Sequence, residues 1–191
     1  MTLTITIARL RKSRACADGL ARYLSGLEAN PDESIERPLI GALDTPATVL
    51  DVIWALGATN DKDAAKRVAQ EIALRCAERA LRLFETRGGR DGDPRVAIET
   101  AREYLRGECA KDVLLQARKG SYDSYVRGDN SIDAIVYPAV SAALYVAIAD
   151  IVAYASDVSA MTVHYCYTKG VARETEYAAQ HHDLRELLMA A

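Results

Sequence analysis

The chain has 191 residues, half of them hydrophobic and 27% charged, with a net charge of −3. That is enough for one domain with a buried core, and the acidic balance argues against a dedicated nucleic-acid binder, which would be basic. The charge is uneven: residues 1–120 hold 20 Lys+Arg against 18 Asp+Glu, residues 121–191 hold 4 against 9, and the C-terminal third is the acidic end.

Thr2 to Ile7 alternate, with Leu3, Ile5 and Ile7 on one face and three threonines on the other, the pattern of a short strand. A lone strand needs a partner. Ser34 to Ile40 supplies one, held to an edge by Pro38. Ala8 to Leu27 reads as helix with a break near Ser13. Its stripe is Leu10, Ala17, Leu20, Leu24 and Leu27, weakened by Gly19. Thr45-Pro46 reads as a helix start and Gly57 as the stop near Leu56. Asn60 or Asp61 caps a long helix to about Phe84, striped by Val68, Ile72, Cys76, Ala80, Leu83 and Phe84. Gly88-Gly89 and Asp91-Gly92 break the chain. Asp93-Pro94 starts a helix with Ala97, Ile98, Ala101, Tyr104 and Leu105 inward, closed by Gly107. Cys109 to Val126 is helical, and a polar turn follows over Arg127 to Ser131. Ile132 to Tyr154 is the most apolar helix, and Ser156 to Met189 forms one or two helices interrupted at Lys169-Gly170.

Residues 134–155 are long enough to span a bilayer. They are alanine-rich, contain Pro138 and Asp150, and follow Asp133. A buried charge costs a few kcal/mol on insertion, so a helix central to a bundle is the better reading. The four cysteines, Cys16, Cys76, Cys109 and Cys166, form no C-x-x-C. They read as small buried hydrophobes in a reducing cytosol. The first residues lack the apolar core of a signal peptide, so a cytoplasmic protein is expected. The expected fold is mainly α, a bundle of about six to eight helices with a small N-terminal β element. It divides into an α/β element over 1–44 and a helical bundle over 45–191, or forms one continuous domain.

One stretch carries a family pattern. It is the run Ala73-Leu74-Arg75-Cys76-Ala77-Glu78-Arg79-Ala80-Leu81-Arg82-Leu83-Phe84-Glu85, then Asp93-Pro94-Arg95, Ala97-Ile98-Glu99, Ala101-Arg102, Tyr104 and Arg106-Gly107-Glu108. Over residues 64–108 this resembles the immunity-protein family of bacterial polymorphic-toxin loci, whose relatives also occur in phages. The opening ITIARLRKSRACADGLARY is similar to the openings of phage-associated proteins of unassigned function. The chain has fewer alanines than that family and more tyrosines in its C-terminal third. The resemblance implies an all-helical, non-catalytic inhibitor that binds a protein partner, a toxin or a bacterial defence complex as an anti-CRISPR-like inhibitor does. It brings no catalytic residue and no cofactor.

Residue chemistry is weighed beside it. Arg95, Glu99, Arg102 and Glu103, and Glu78 with Arg82, fall at spacings that pair on a helix and read as a charged seam between two helices. No histidine of His164, His181 and His182 has a shared-metal spacing, so no metal is expected. Arg127-Gly128-Asp129 reads as a turn. Arg9, Arg11, Lys12 and Arg14 form a small basic patch without aromatic interleaving, which reads as a solvated face. Tyr137, Tyr145 and Tyr154 are expected in the core. Tyr122 and Tyr125, with Asp123, Arg127 and Asp129, have the composition of an interface hot spot and are the expected partner-binding residues. The acidic third would steer that face toward a basic surface. The rival readings are a small enzyme, whose candidates are Glu78, Glu99, Arg102 and His164, and a homo-oligomeric helical scaffold.

Overall fold

The computed structural model describes residues 2–13, 16–86, 93–127, 136–148 and 153–191. The alternation at the N-terminus buries Leu3, Ile5 and Ile7 as expected, though the ladder is short. Strand β1, Thr4–Ile5, pairs antiparallel with β2, Arg37–Pro38, in the register Thr4 to Pro38 and Ile5 to Arg37. Pro38 is tolerated because the sheet has only two strands. On the other side of β1, the Asn60 N–H donates to the Thr4 carbonyl at 3.1 Å and the Thr4 N–H donates to Asn60 Oδ1 at 2.8 Å.

Helix α1, Ile7–Lys12, is capped by Thr6, whose Oγ1 accepts from the Arg9 N–H, and ends at Ser13 where a break was expected. Helix α2, Ala17–Ser25, buries Gly19 and Tyr23. Ala17 is exposed rather than inward, because the whole first turn from Cys16 to Asp18 lies outside the core. Gly19 is needed, not merely tolerated. A Cβ there would come within 2.5 Å of Asp51 Oδ1 and 2.9 Å of Cys16 Sγ. Asp51 cannot step aside: it closes a capping box with Thr48 at the start of α3, Val49–Ala55, and takes Arg22 in a bidentate pair at 2.8 and 2.9 Å. Burial opposes the charge on Asp51, but the Arg22 and Thr48 hydrogen bonds outweigh it and hold its carboxyl below the usual range. Gly19→Ala is expected to lose about 1–3 kcal/mol through this overlap, more than the roughly 1 kcal/mol gained in helix propensity. Urea melts of the two proteins check the sign.

The α3 cap is Thr48, three residues later than the expected Thr45. Residues Leu39–Asp44 form a 3-10 turn, and Thr45 is engaged in closing it: its hydroxyl donates to the Ala42 carbonyl at 2.7 Å and accepts from the Ala47 N–H at 3.2 Å.

Asp61 caps the long helix α4, Lys62–Thr86, accepting from the Ala64 N–H at 2.9 Å. Val68, Ile72, Cys76, Ala80 and Phe84 are buried as the stripe requires, and so are Ala65, Ala69, Ala73, Leu74, Ala77 and Leu81. Burial that runs around so much of the helix makes α4 a central element. Its alanines let neighbours approach closely: α5, Asp93–Arg106, α7, Val136–Ile148, α8, Ala153–Thr168, and α9, Arg173–Ala190, all pack on it. Helix α6, Lys111–Arg127, packs on α5 and α7. Helix α7 is central as well, packing on α4, α5, α6 and α8, as expected for the apolar segment over residues 132–154. Val140, Ala143, Leu144 and Ala147 of α7 are buried, and among the described residues no helix is long and apolar enough to cross a membrane.

The two glycine stops act by one geometry. Gly107 and Gly170 have φ of +75° and +81°, and each sits in a pair of bonds, Gly107 to Tyr104 with Glu108 to Glu103, and Gly170 to Tyr167 with Val171 to Cys166. These are Schellman closures, which favour glycine at the left-handed position. One continuous apolar cluster runs from Leu3 through α3 and α4 to Leu188 of α9. The architecture is the expected mainly-α bundle with a small N-terminal β element.

Candidate functional site

Two polar assemblies stand out from this scaffold. The first binds helices together. The expected seam between α4 and α5 is present, with a different pairing: Glu78 accepts from Arg102 Nε at 2.5 Å instead of meeting Arg82, and Arg102 also reaches Glu71 at 3.2 Å. The hydrogen bond from Arg102 to Glu78 outweighs burial and raises the guanidinium further above its usual range. Arg95 pairs with Glu85 at 2.5 Å and with Glu99 at 3.7 Å.

A second seam, not anticipated, clamps α9 to α4. Arg79 Nε donates to both oxygens of Glu176 at 2.9 and 3.1 Å, and Arg79 also pairs with Asp183. Arg75 reaches Asp183 at 3.1 Å and Glu186 at 2.9 Å. Glu176 is 4% exposed, and its neighbours are as buried: Gln180 donates to it at 2.9 Å and Ser159 donates to Gln180. The signal was there in two complementary stripes. Arg75 and Arg79 are four apart on α4, while Glu176, Asp183 and Glu186 recur on one side of α9.

The second assembly faces outward where α6, α7 and α8 meet. The Arg118 guanidinium of α6 lies 3.6 Å from the Tyr145 ring centroid, and Tyr145 stacks on Tyr154 at 5.5 Å with 20° between planes. Arg118 has no carboxylate partner among the described residues, and burial alone pulls it below its usual range. Leu115, Arg118 and Tyr122 share one face of α6, at spacings of three and four. Leu115 and Tyr122 are 40% and 54% exposed, and Tyr145 is 37% exposed. Tyr145, expected inside, is instead exposed, while Tyr154 is half-buried against the core, and both line an open groove between α7 and α8 of about 430 Å³. Tyr137 lies among residues whose side chains are not described.

Of the expected partner-binding residues, Tyr122 and Asp123 are exposed on α6 next to this stack. Tyr125 and Arg127 fall in the last turns of α6, and Asp129 lies outside the described residues, as do Gly128 and most of the polar turn. The structure brings Glu78 and Arg102 together as a seam pair. Glu99 points to Arg95, and His164 is exposed on α8. His181 Nε2 contacts the Leu43 carbonyl at 3.2 Å and His182 contacts Glu186 at 3.4 Å. Among the described residues no group of three or more His, Cys, Asp or Glu has the arrangement to hold a metal. In the N-terminal basic patch, Arg9 pairs with Glu36 and Arg11 with Glu33 at 3.0 Å.

The cysteines divide, and their expected common burial holds for two. Cys76 and Cys166 are buried and their thiols are pushed up to about 12, by burial first. Cys109 is half-buried. Cys16 is exposed, with its Sγ accepting the Gly19 N–H at 3.2 Å as the cap of α2. Ellman's reagent is expected to modify Cys16 in the folded protein and to reach Cys76 and Cys166 only on unfolding, because the thiolate is the reactive form. Rapid native reaction of all four would contradict the burial.

A second hollow, lined by Ile5, Leu10, Leu20, Tyr23, Val52 and Trp54 among others, offers about 40 Å³. That is room for water rather than for a drug-sized ligand. Comparison of the chain with known proteins returned no matching family model, no matching curated protein and no matching solved structure.

Proposed function

We propose that the chain is a non-catalytic protein-binding inhibitor that acts in the cytoplasm by occluding a protein target, a bacterial toxin or a bacterial defence complex. The observation that carries this reading is the Arg118–Tyr145–Tyr154 stack beside exposed Leu115 and Tyr122. Tyrosine and arginine are the residue types that dominate binding energy at interfaces, and an arginine half-withdrawn from water, with no carboxylate partner among the described residues, supplies a ready anchor for one. The stack needs about 800 Å² of surrounding surface to serve as a standard interface. The family pattern over residues 64–108 supports the same class. Those residues build the α4–α5 seam, which makes them scaffold and leaves recognition to the helices that follow.

The test is capture from a toxin-bearing or CRISPR-bearing bacterial host, followed by reconstitution with the purified partner and an assay of that partner's activity. The expected result is a partner held by the native chain, released by Tyr122→Ala with Tyr145→Ala, and inhibited on binding. A chain that captures its partner equally well without these two rings has its recognition surface elsewhere. A chain that forms only its own dimer by light scattering is a scaffold.

A further inference from the structure

The groove between α7 and α8 has a chemistry of its own. Ala142 and Ala160 face it from the two helices, and their small side chains leave the space open. Tyr154, Asp157 and Met161 recur at spacings of three and four along α8, so one side of that helix presents an aromatic face, a carboxylate and a polarisable thioether together. Asp157 is exposed and no cation among the described residues pairs with it. Ser141 contributes a buried hydroxyl with no hydrogen-bond partner among the described residues.

We infer that this groove receives an arginine side chain from the protein partner, with Asp157 accepting its guanidinium and Tyr154 stacking on it. The partner belongs to the protein-binding reading above; the occupant follows from the groove. The molecule itself shows the stacking part of this mode twice, with Arg118 over Tyr145 at 3.6 Å and Arg173 over Tyr167 at 4.3 Å. A planar guanidinium fits both requirements at once, an aromatic face and a carboxylate fork, where a lysine ammonium meets them only as a point charge. An acidic segment is repelled at the groove itself by Asp157. A second copy of the chain would bring the same acidic surface against itself.

The experiment uses the full chain and a tetra-arginine peptide, with tetra-lysine and tetra-glutamate as controls, read by NMR at the Ala142 and Ala160 methyls and the Asp157 amide. Saturable shifts with tetra-arginine are expected, at least fivefold weaker in Asp157→Asn and unchanged in Glu174→Gln, with both variants keeping the native melting temperature. Equal binding of tetra-lysine, shifts scattered over the acidic surface, or indifference to Asp157→Asn would overturn the inference. So would a dimer whose contacts move the same methyls. A captured partner whose affinity ignores Asp157→Asn removes the groove alone. No captured partner, with tetra-arginine still seated in the groove, removes the protein-binding reading and leaves the arginine preference standing.

Discussion

Replacing Arg79 with alanine is expected to lower unfolding stability by about 3–5 kcal/mol, the cost of leaving a buried partner charge uncompensated. Glu176 is almost completely buried and receives two hydrogen bonds from Arg79. Cys166 and Gln180 contact the same carboxylate but carry no charge to balance it. The exposed pair Arg185–Asp44, at 2.5 Å, is the control. Its loss should cost no more than about 1 kcal/mol. Urea melts distinguish the two, since urea leaves ion pairs unscreened. A double replacement, Arg79→Met with Glu176→Leu, should recover much of the loss, because removing both charges removes the penalty. If Arg79→Ala proves as mild as the Arg185 control, the clamp does not hold α9. Leu184 and Leu188 are buried beside this cluster and Leu187 packs partly against the core, so apolar contacts hold α9 as well.

The second large effect concerns binding. Arg118→Ala is expected to weaken the partner complex by about 2 kcal/mol or more, roughly thirtyfold, the scale of an interface hot spot. Stability should change by less than about 0.5 kcal/mol, as for other surface substitutions, because Arg118 rests on Tyr145 from outside the core. Arg118→Lys keeps the charge and is expected to fail nearly as badly, since it loses both the fork and the stack. Titration calorimetry with the reconstituted partner measures both. Full affinity in Arg118→Ala would place recognition away from the stack.

Much of the fold was legible because its signals are local. Gly107 and Lys169-Gly170 stop helices by backbone geometry, Asp61 caps by its own side chain, and the β1 alternation fixes which side faces in. What was not legible depends on neighbours distant in sequence. Thr45 reads as a helix cap until the preceding 3-10 turn engages its hydroxyl. Gly19 reads as a weak point in α2 until Asp51 of another helix is placed against it. Tyr145 and Tyr154 read as core residues because their surroundings are apolar, yet only Tyr154 packs partly against the core, and Tyr145 is exposed beside an open groove. The charged residues of 64–108 form a seam that their helical spacing already suggests, but the choice of Arg102 for Glu78 depends on how α4 and α5 cross. In the sequence Tyr122 and Asp123 mark the candidate surface, whereas Arg118, a lone arginine on a polar helix, carries no pattern until a ring from α7 lies beneath it.

A single amide finishes the two-stranded sheet. Asn60 presents a carbonyl oxygen and an N–H to the outer side of β1, meeting Thr4 much as a third strand would. An uncovered strand edge is a template for adding foreign strands and for self-association. By covering it with one side chain and one peptide group, the turn before α4 denies that side of the sheet to chain-to-chain pairing, so the short ribbon can remain near the surface without seeding aggregates.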